Sequence, residues 1–309
     1  MSISVWPVWA VVPAALAVIV LAAVAAVVDS AIAPVGRRSL MTPVYESARL
    51  LRQRRRSTPA PDALLWRVGT SGPFVVALLM AVVIPFGGGV LSDLNVGIVW
   101  FNAMDVLLWA LWWLAGWGAN SMVALIGGYR FLAQALAYEL PLMFALTAPA
   151  VAAASLSVTD VVAAQADQWF IVQMPVAALV FVGSVVAYSA WGPFSHPVAP
   201  DVAGGILAEP TGIDRLLVLA GRYALLGVGA AMAVALFLGG DSGPLLPGWL
   251  WSIVKTLGVV TLMVAMRRRL PVLRAEKLMT VAWTVVLPLV LLQVLVVAAL
   301  AARGGSGGM

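Results

Sequence analysis

The sequence YRFLAQALAYELPLMFALTAPAVAAA, residues 129–154, is apolar from residue 131 onward over a length that can cross a bilayer. It nevertheless carries a carboxyl group, Glu139. At about 1.5 Å per residue this group lies about 13 Å from the start of the apolar run. An ionisable side chain at such depth costs at least about 2.5 kcal/mol on insertion scales and usually faces a partner or a water-filled cavity. Glu139 is therefore a candidate functional residue.

The composition of the whole chain is that of a membrane protein. Of 309 residues, 63% are hydrophobic and only 10% are charged, and the mean hydropathy is +1.03. Soluble domains average about 45–50% apolar and about 25% charged residues. No segment is polar enough to fold alone in water, so we predict a single polytopic membrane domain over 1–309.

Eight apolar runs have the length of about 17–25 residues that a spanning helix requires. They predict an all-α integral membrane protein, a bundle of about eight transmembrane helices. The predicted spans lie near 5–28, 72–91, 97–116, 131–154, 170–190, 216–238, 247–266 and 280–302.

The basic residues are distributed unevenly between alternate loops. Sixteen of the 18 Lys and Arg residues fall in one set of loops, and the other set is poor in them. The positive-inside rule then predicts cytoplasmic basic loops and both termini outside. The excess of Arg over Lys is typical of a GC-rich bacterial genome, so we expect a bacterial cytoplasmic membrane. Because the charge follows topology, it is a poor indication of nucleic-acid binding.

The first basic loop contains a predicted amphipathic helix near 42–56. Thr42 suits an N-cap and Pro43 the first helical position. Val44, Ala48 and Leu51 share one face while arginines occupy the other, as in a helix lying on an interface. The cluster either fixes topology and touches anionic lipid, or docks a specific partner.

Cysteine and histidine are nearly absent. The sequence has no Cys and one His, which excludes disulfides, Cys-ligated iron–sulfur clusters and bis-His haem within it. No metal site is predicted. If the protein takes part in electron transfer, the redox centres belong to partner subunits.

Three predicted spans carry ionisable groups, Asp105, Glu139 and Lys255, at depths that place all three near the membrane midplane. Linked by water, such groups would relay protons. The alternative is a structural Asp–Lys or Glu–Lys pair that locks helices together. On the fourth span, Arg130, Gln134 and Tyr138 form a polar face, which indicates a cavity.

At this point the sequence resembles the H-subunit family of respiratory complex I (NADH:quinone oxidoreductase), as a divergent paralogue. It is also similar to membrane anchors of formate hydrogenlyase and membrane-bound hydrogenases. The resemblance covers roughly 80–300. Its passages are Val83-Ile84-Pro85-Phe86-Gly87, Asp93-Leu94-Asn95-Val96-Gly97, Gly116-Trp117-Gly118-Ala119-Asn120-Ser121, Ala124-Leu125-Ile126-Gly127-Gly128-Tyr129-Arg130, Ala137-Tyr138-Glu139, Leu236-Phe237-Leu238-Gly239-Gly240, Trp251 with Lys255, and Leu270-Pro271-Val272-Leu273-Arg274.

The resemblance implies a membrane-arm subunit that helps form the quinone chamber and couples quinone reduction to proton translocation. The chain would bind no cofactor itself, quinone would be the substrate, and iron–sulfur clusters and flavin would lie in partners. Those partners are an iron–sulfur hydrophilic arm and antiporter-like membrane subunits. The implied catalytic residues are Glu139, Lys255 and Asp105. The implied quinone and coupling region comprises Arg130, Gln134, Tyr138, Asn120, Glu209, Asp201 and Arg274.

The chain departs from the family pattern where that pattern is acidic. Ser195 replaces an aspartate of the long loop, and Val198 and Pro200 replace glutamates. Arg222 stands near the place of a glutamate in the sixth span. These losses favour an alternative, a structural anchor of a related hydrogenase or dehydrogenase complex whose proton path has decayed. A stand-alone secondary transporter explains the intramembrane charges but not the family passages.

Overall fold

The computed structural model describes residues 4–33, 39–199 and 204–305, and helices dominate it. The predicted all-α class is confirmed. The helices are α1 (Val11–Ala31), α2 (Thr42–Arg52), α3 (Ala63–Ala81), α4 (Gly97–Trp117), α5 (Met122–Ala153), α6 (Val158–Ala163), α7 (Phe170–Gln173), α8 (Pro175–Tyr188), α9 (Gly212–Phe237), α10 (Gly248–Arg269), α11 (Ala275–Val281) and α12 (Leu287–Gly305). A π-helix, Ala282–Val286, joins α11 to α12. Two short parallel strands, β1 (Ser4–Val5) and β2 (Gly89–Val90), pair near the start of the chain.

Seven helical segments of the described chain are long and apolar enough to cross a membrane. The fifth predicted span, near 170–190, is instead divided into α7 and α8, of which α8 is a shorter apolar helix. The break falls at Met174, whose φ of −136° is extended. Pro175 follows and has no N–H for a continuous helix, so the chain restarts there with proline in the first turn.

Several helix bounds differ from those expected from hydropathy alone. The second spanning helix begins at Ala63 rather than near 72, because Asp62 caps it by accepting hydrogen bonds from the backbone N–H groups of Leu64 and Leu65. It ends at Ala81, before a turn in which Gly87 and Gly88 have positive φ. Helix α5 begins at Met122, so Arg130 lies within the helix and not in a loop before it.

The centre of the bundle is formed by α9 and α5. In their most apolar windows 72% of α9 and 61% of α5 are buried, against 17% for the first helix and 11% for the last. Helix α9 packs against α1, α3, α8 and α10, and α5 packs against α4, α8 and α12. The first and last helices therefore present most of their surface outward, and polar groups on α5 and its neighbours lie inside the protein.

Close approach of α3 and α4 depends on glycine. A Cβ atom at Gly69 would lie 2.2 Å from the backbone nitrogen of Ala115, and one at Gly118 would lie 2.4 Å from that of Trp66. Small residues allow such backbone contact, which is how membrane helices pack tightly without a hydrophobic driving force between them.

We predict that Gly69→Ala lowers the free energy of unfolding by about 1–3 kcal/mol, because the new methyl group meets rigid backbone and forces α3 and α4 apart. The measurement is thermal unfolding of the purified protein in detergent. Gly183→Ala on α8 is the matched control, since its Cβ would meet nothing within 4 Å. Equal losses in the two variants would contradict the assigned contact.

Candidate functional site: a buried carboxyl pair

Asp105 on α4 and Glu139 on α5 face each other inside the bundle. Asp105 is fully buried, and its side chain interacts directly with that of Glu139. Two ionised carboxylates in contact would repel, whereas one proton between them converts repulsion into a hydrogen bond. The sequence placed both groups at similar depth but could not pair them.

The polar neighbours of this pair hold one oxygen of each carboxyl group. The Tyr138 hydroxyl donates to Oδ1 of Asp105 at 3.4 Å, and the Asn102 amide donates to Oε1 of Glu139 at 3.3 Å. The indole of Trp109 faces Glu139, but it closes no well-formed hydrogen bond there. Within the described residues, Oδ2 of Asp105 and Oε2 of Glu139 likewise have no well-formed donor.

These long and incomplete contacts matter because buried polar groups are normally satisfied. The exceptions concentrate where a proton, water or ligand is handled. Tyr188 extends the polar region: its ring lies 6.5 Å from that of Tyr138, and its buried hydroxyl has no partner among the described residues. Asn102 and Tyr188 were missed from the sequence, since an isolated amide or phenol in an apolar run carries no distinctive pattern.

Lys255 lies beside the carboxyl end of α9. Its ammonium group donates to the carbonyl oxygens of Leu238 at 2.6 Å, Gly240 at 3.1 Å and Ser242 at 2.6 Å. It also lies 4.3 Å from the ring centroid of Trp169. Lys255 thus caps the carboxyl end of α9, where carbonyl oxygens concentrate negative partial charge. In the described chain no salt bridge joins it to Asp105 or Glu139.

We predict that Lys255→Met lowers the stability of the protein by about 2 kcal/mol, because three carbonyl groups lose a charged donor at once. Thermal unfolding in detergent measures this, with Lys277→Met as control, since Lys277 is an exposed lysine on α11. A K255M protein that unfolds like the control would contradict the capping role.

Arg130 and Gln134 hold the long loop and α8 in place. Arg130 donates to the carbonyl oxygen of Gly204, and Gln134 donates to that of Ala187 at 2.8 Å. Both residues precede Glu139 on α5, and through these hydrogen bonds they fix the backbone of neighbouring segments. Of the three residues on the predicted polar face, Tyr138 is the one that contacts the carboxyl pair, through its hydrogen bond to Asp105.

Asn120 and Glu209 both line a cleft of about 370 Å³. Asn120 donates to the carbonyl oxygens of Pro59 and Ala60, and Ser121 donates to Glu209 at 2.6 Å. Arg274 is exposed at the start of α11. Asp201 lies outside the described residues. The structure therefore separates the predicted site residues into three groups: the interior pair of Asp105 and Glu139, the cleft residues Asn120 and Glu209, and residues that lie apart from both.

A second charged cluster, centred on Asp29 at the end of α1, was also missed. Asp29 is only 8% exposed; its carboxylate accepts hydrogen bonds from Arg267 at 2.8 Å, Arg268 at 3.0 Å and the Tyr223 hydroxyl at 3.2 Å. These partners come from α9 and α10, more than 190 residues later in the chain. No local spacing in the sequence indicates such a pairing.

Arg222 lies beside this cluster without sharing its carboxylate. Its Nε and Nη2 donate to the carbonyl oxygens of Ser189, at 3.4 Å, and of Ala190. The guanidinium carbons of Arg222 and Arg267 lie 5.0 and 4.9 Å from the ring centroid of Trp191. The arginine at the place of an expected carboxylate is thus accommodated by backbone carbonyls and an indole face.

We predict that Asp29→Asn lowers the free energy of unfolding by about 3 kcal/mol, because it leaves two arginines without their anion near the membrane boundary. Thermal unfolding is again the measurement. Glu46→Gln is the control: it breaks the exposed Glu46–Arg49 pair on α2, whose side chains are 41% and 58% exposed, and we expect no measurable change. A similarly small effect at Asp29 would contradict its central role.

The segment after α2 is tied to α9 by an ion pair. Arg55 donates through Nε and Nη2 to both carboxylate oxygens of Asp214, and this contact raises the pKa of Arg55. On α2, the hydrogen bond from Arg49 lowers the pKa of Glu46. The pair with Asp214 fixes the position of the first basic loop on the bundle.

The bundle and its interior carboxyl pair define the class: a multi-pass all-α integral membrane protein with ionisable groups inside. The family model described as NADH dehydrogenase matches residues 1–298. The second H-type subunit of the NADH-quinone oxidoreductase of Geobacter sulfurreducens is 36% identical over 85% of this chain and 83% of its own length. The first H-type subunit of the same enzyme in Rhodopseudomonas palustris strain HaA2 is 34% identical over 82% and 80%. The chain belongs to the NADH dehydrogenase family.

Proposed function

We propose that this chain is a membrane-arm subunit of an NADH:quinone oxidoreductase-type complex, in which it holds no redox group and helps to couple quinone reduction to proton translocation. The observation that carries the proposal is that the carboxyl groups of fully buried Asp105 and partly buried Glu139 lie near enough to interact. Family membership supports the assembly, since the relatives are named as subunits of NADH-quinone oxidoreductase.

The carboxyl pair supports coupling because its proton content depends on its geometry. When α4 and α5 hold the two groups together, one shared proton is favoured; moving them apart changes the number of protons that the pair binds. Pro141 weakens α5 next to the pair by removing a backbone donor. The indole of Trp283 donates to the carbonyl oxygen of Leu136 on the same stretch, at 3.3 Å. A shift of these helices would thus convert motion into proton transfer.

The redox chemistry belongs to partners in this proposal. The sequence offers no cysteine for an iron–sulfur cluster, so the clusters and any flavin lie in a hydrophilic arm, and quinone is the substrate that meets the membrane arm. The cleft lined by Asn120 and Glu209 is polar, which favours it as the region that contacts that arm or binds quinone. We place the basic loops on the cytoplasmic side of a bacterial inner membrane, with both termini outside.

We expect Glu139→Gln to lower proton translocation at least tenfold while the amount of assembled complex is unchanged, because a glutamine side chain keeps the size but cannot release a proton. The measurement is a pH-sensitive dye in inverted membrane vesicles, alongside quinone reduction with the complex's own electron donor. Asp105→Asn should behave in the same way.

Asp160→Asn is the matched control for both variants. Asp160 is exposed on α6, and its carboxylate accepts a hydrogen bond from Ser155 at 2.6 Å. We expect this variant to leave translocation intact. Full proton translocation by an assembled E139Q complex would remove Glu139 from the coupling path.

The alternative function, a structural anchor of a related hydrogenase or dehydrogenase complex, is favoured by one observation. Arg222 stands near the place where the resemblance implies a glutamate and binds backbone carbonyls, which fixes helices but relays no proton. The two functions differ in the outcome of the same experiment. In an anchor, neutralising Glu139 or Asp105 would change the amount of assembled complex and not the protons moved per quinone reduced.

A further inference from the structure

Helix α2 exposes an apolar stripe on the side away from the bundle. Its one fully buried side chain is Leu50, and the helix packs against α9 and the end of α1. At about 100° per residue, five small or apolar positions fall within an arc of roughly 120° on the opposite side. These exposed residues are Met41, Val44, Tyr45, Ala48 and Leu51.

The exposure of this stripe is large for apolar side chains on a folded surface. Val44 is 58% exposed, Leu51 63% and Tyr45 71%. A contiguous apolar face of this kind marks a surface that something covers. Arg52, in the last turn, falls within the same arc and Arg54 follows the helix, and among the described residues no salt bridge pairs them with a carboxylate. The surface therefore combines an apolar stripe with uncompensated positive charge.

The position of α2 in the chain indicates where the helix lies along the membrane normal. It lies between α1, which ends at Ala31, and α3, which begins at Ala63. Both are candidate spans, so the connection between them lies at one end of the bundle, at the membrane boundary. The helix is also held in one orientation, because Arg55 pairs with Asp214 and the Arg56 N–H donates to Thr211 at 2.8 Å.

We propose that the α2 stripe lies in the interfacial layer of the bilayer, with its apolar side chains at the acyl-chain boundary and its arginines among anionic phospholipid headgroups. An amphipathic helix held at this level reaches about 5–10 Å into the headgroup and acyl region. Arginines beside an anionic surface add an attraction worth about a fivefold change in lipid association each. We assign lipid to this surface for two reasons. The positive side chains are complementary to negative headgroups, and α2 lies at the plane where the two spans end and the headgroups begin.

Because the sequence has no cysteine, a cysteine introduced on α2 adds one labelling site to the complex, and the wild-type complex labelled in the same way gives the signal of partner subunits to be subtracted. Val44→Cys, on the stripe, and Gln53→Cys, on the exposed polar residue after the helix, are each labelled with a fluorophore in the assembled complex. The complex is reconstituted in phosphatidylcholine vesicles with or without phosphatidylglycerol. Lipids brominated near the carbonyl end of the acyl chain quench from the membrane, and iodide quenches from water.

We expect the label at position 44 to be quenched by brominated lipid at least threefold more than the label at 53, with the reverse order for iodide. Phosphatidylglycerol should strengthen the lipid quenching at 44. That increase should disappear in R52Q/R54Q but persist in the charge-matched control R269Q/K277Q, whose residues lie on another exposed basic segment.

Two results would overturn the proposal. Equal iodide quenching at both positions would mean that the stripe faces water. Protection of position 44 from both quenchers would mean that another protein covers it. Neither result depends on proton translocation, so the proposal for α2 and the proposal for the carboxyl pair fail separately.

Discussion

The low polarity of the bilayer interior is the constraint on which the whole structure depends. Backbone N–H and C=O groups find no water there, so every spanning segment must satisfy them internally, and helices do so. Interruptions are confined to places where other groups compensate. The start of α7 and the end of α9 show this, since the buried amide oxygen of Gln165 accepts from the backbone N–H groups of Phe170 and Gly239 at 3.2 and 2.9 Å.

The same constraint divides the polar side chains of the bundle into two kinds. Gln134, Lys255 and Arg222 donate to backbone carbonyls at helix ends, which stabilises the fold and uses their hydrogen-bonding capacity. Asp105 and Glu139 are different, because each leaves a carboxyl oxygen without a well-formed donor and faces another carboxyl group. A group that only stabilises would be satisfied, so the incomplete pair is the feature that points to proton chemistry.

The environment of basic side chains differs between three parts of this protein. Near the end of α1, Arg267 and Arg268 share the single carboxylate of Asp29. Inside the bundle Arg222 is spread over carbonyl oxygens and the face of Trp191. At the surface, Arg52 and Arg54 form no salt bridge with a carboxylate of the described residues.

The sequence by itself determined the membrane class, most of the spanning segments, the amphipathic α2 and the family resemblance, because composition and local periodicity record them directly. It also identified Glu139 and Asp105 as buried ionisable residues. Only the tertiary structure decided which groups meet: Asp105 with Glu139, Lys255 with the end of α9, Asp29 with arginines of α10. Those contacts join residues far apart in the chain, and the helix rotations that create them depend on packing such as that at Gly69, which no local pattern encodes.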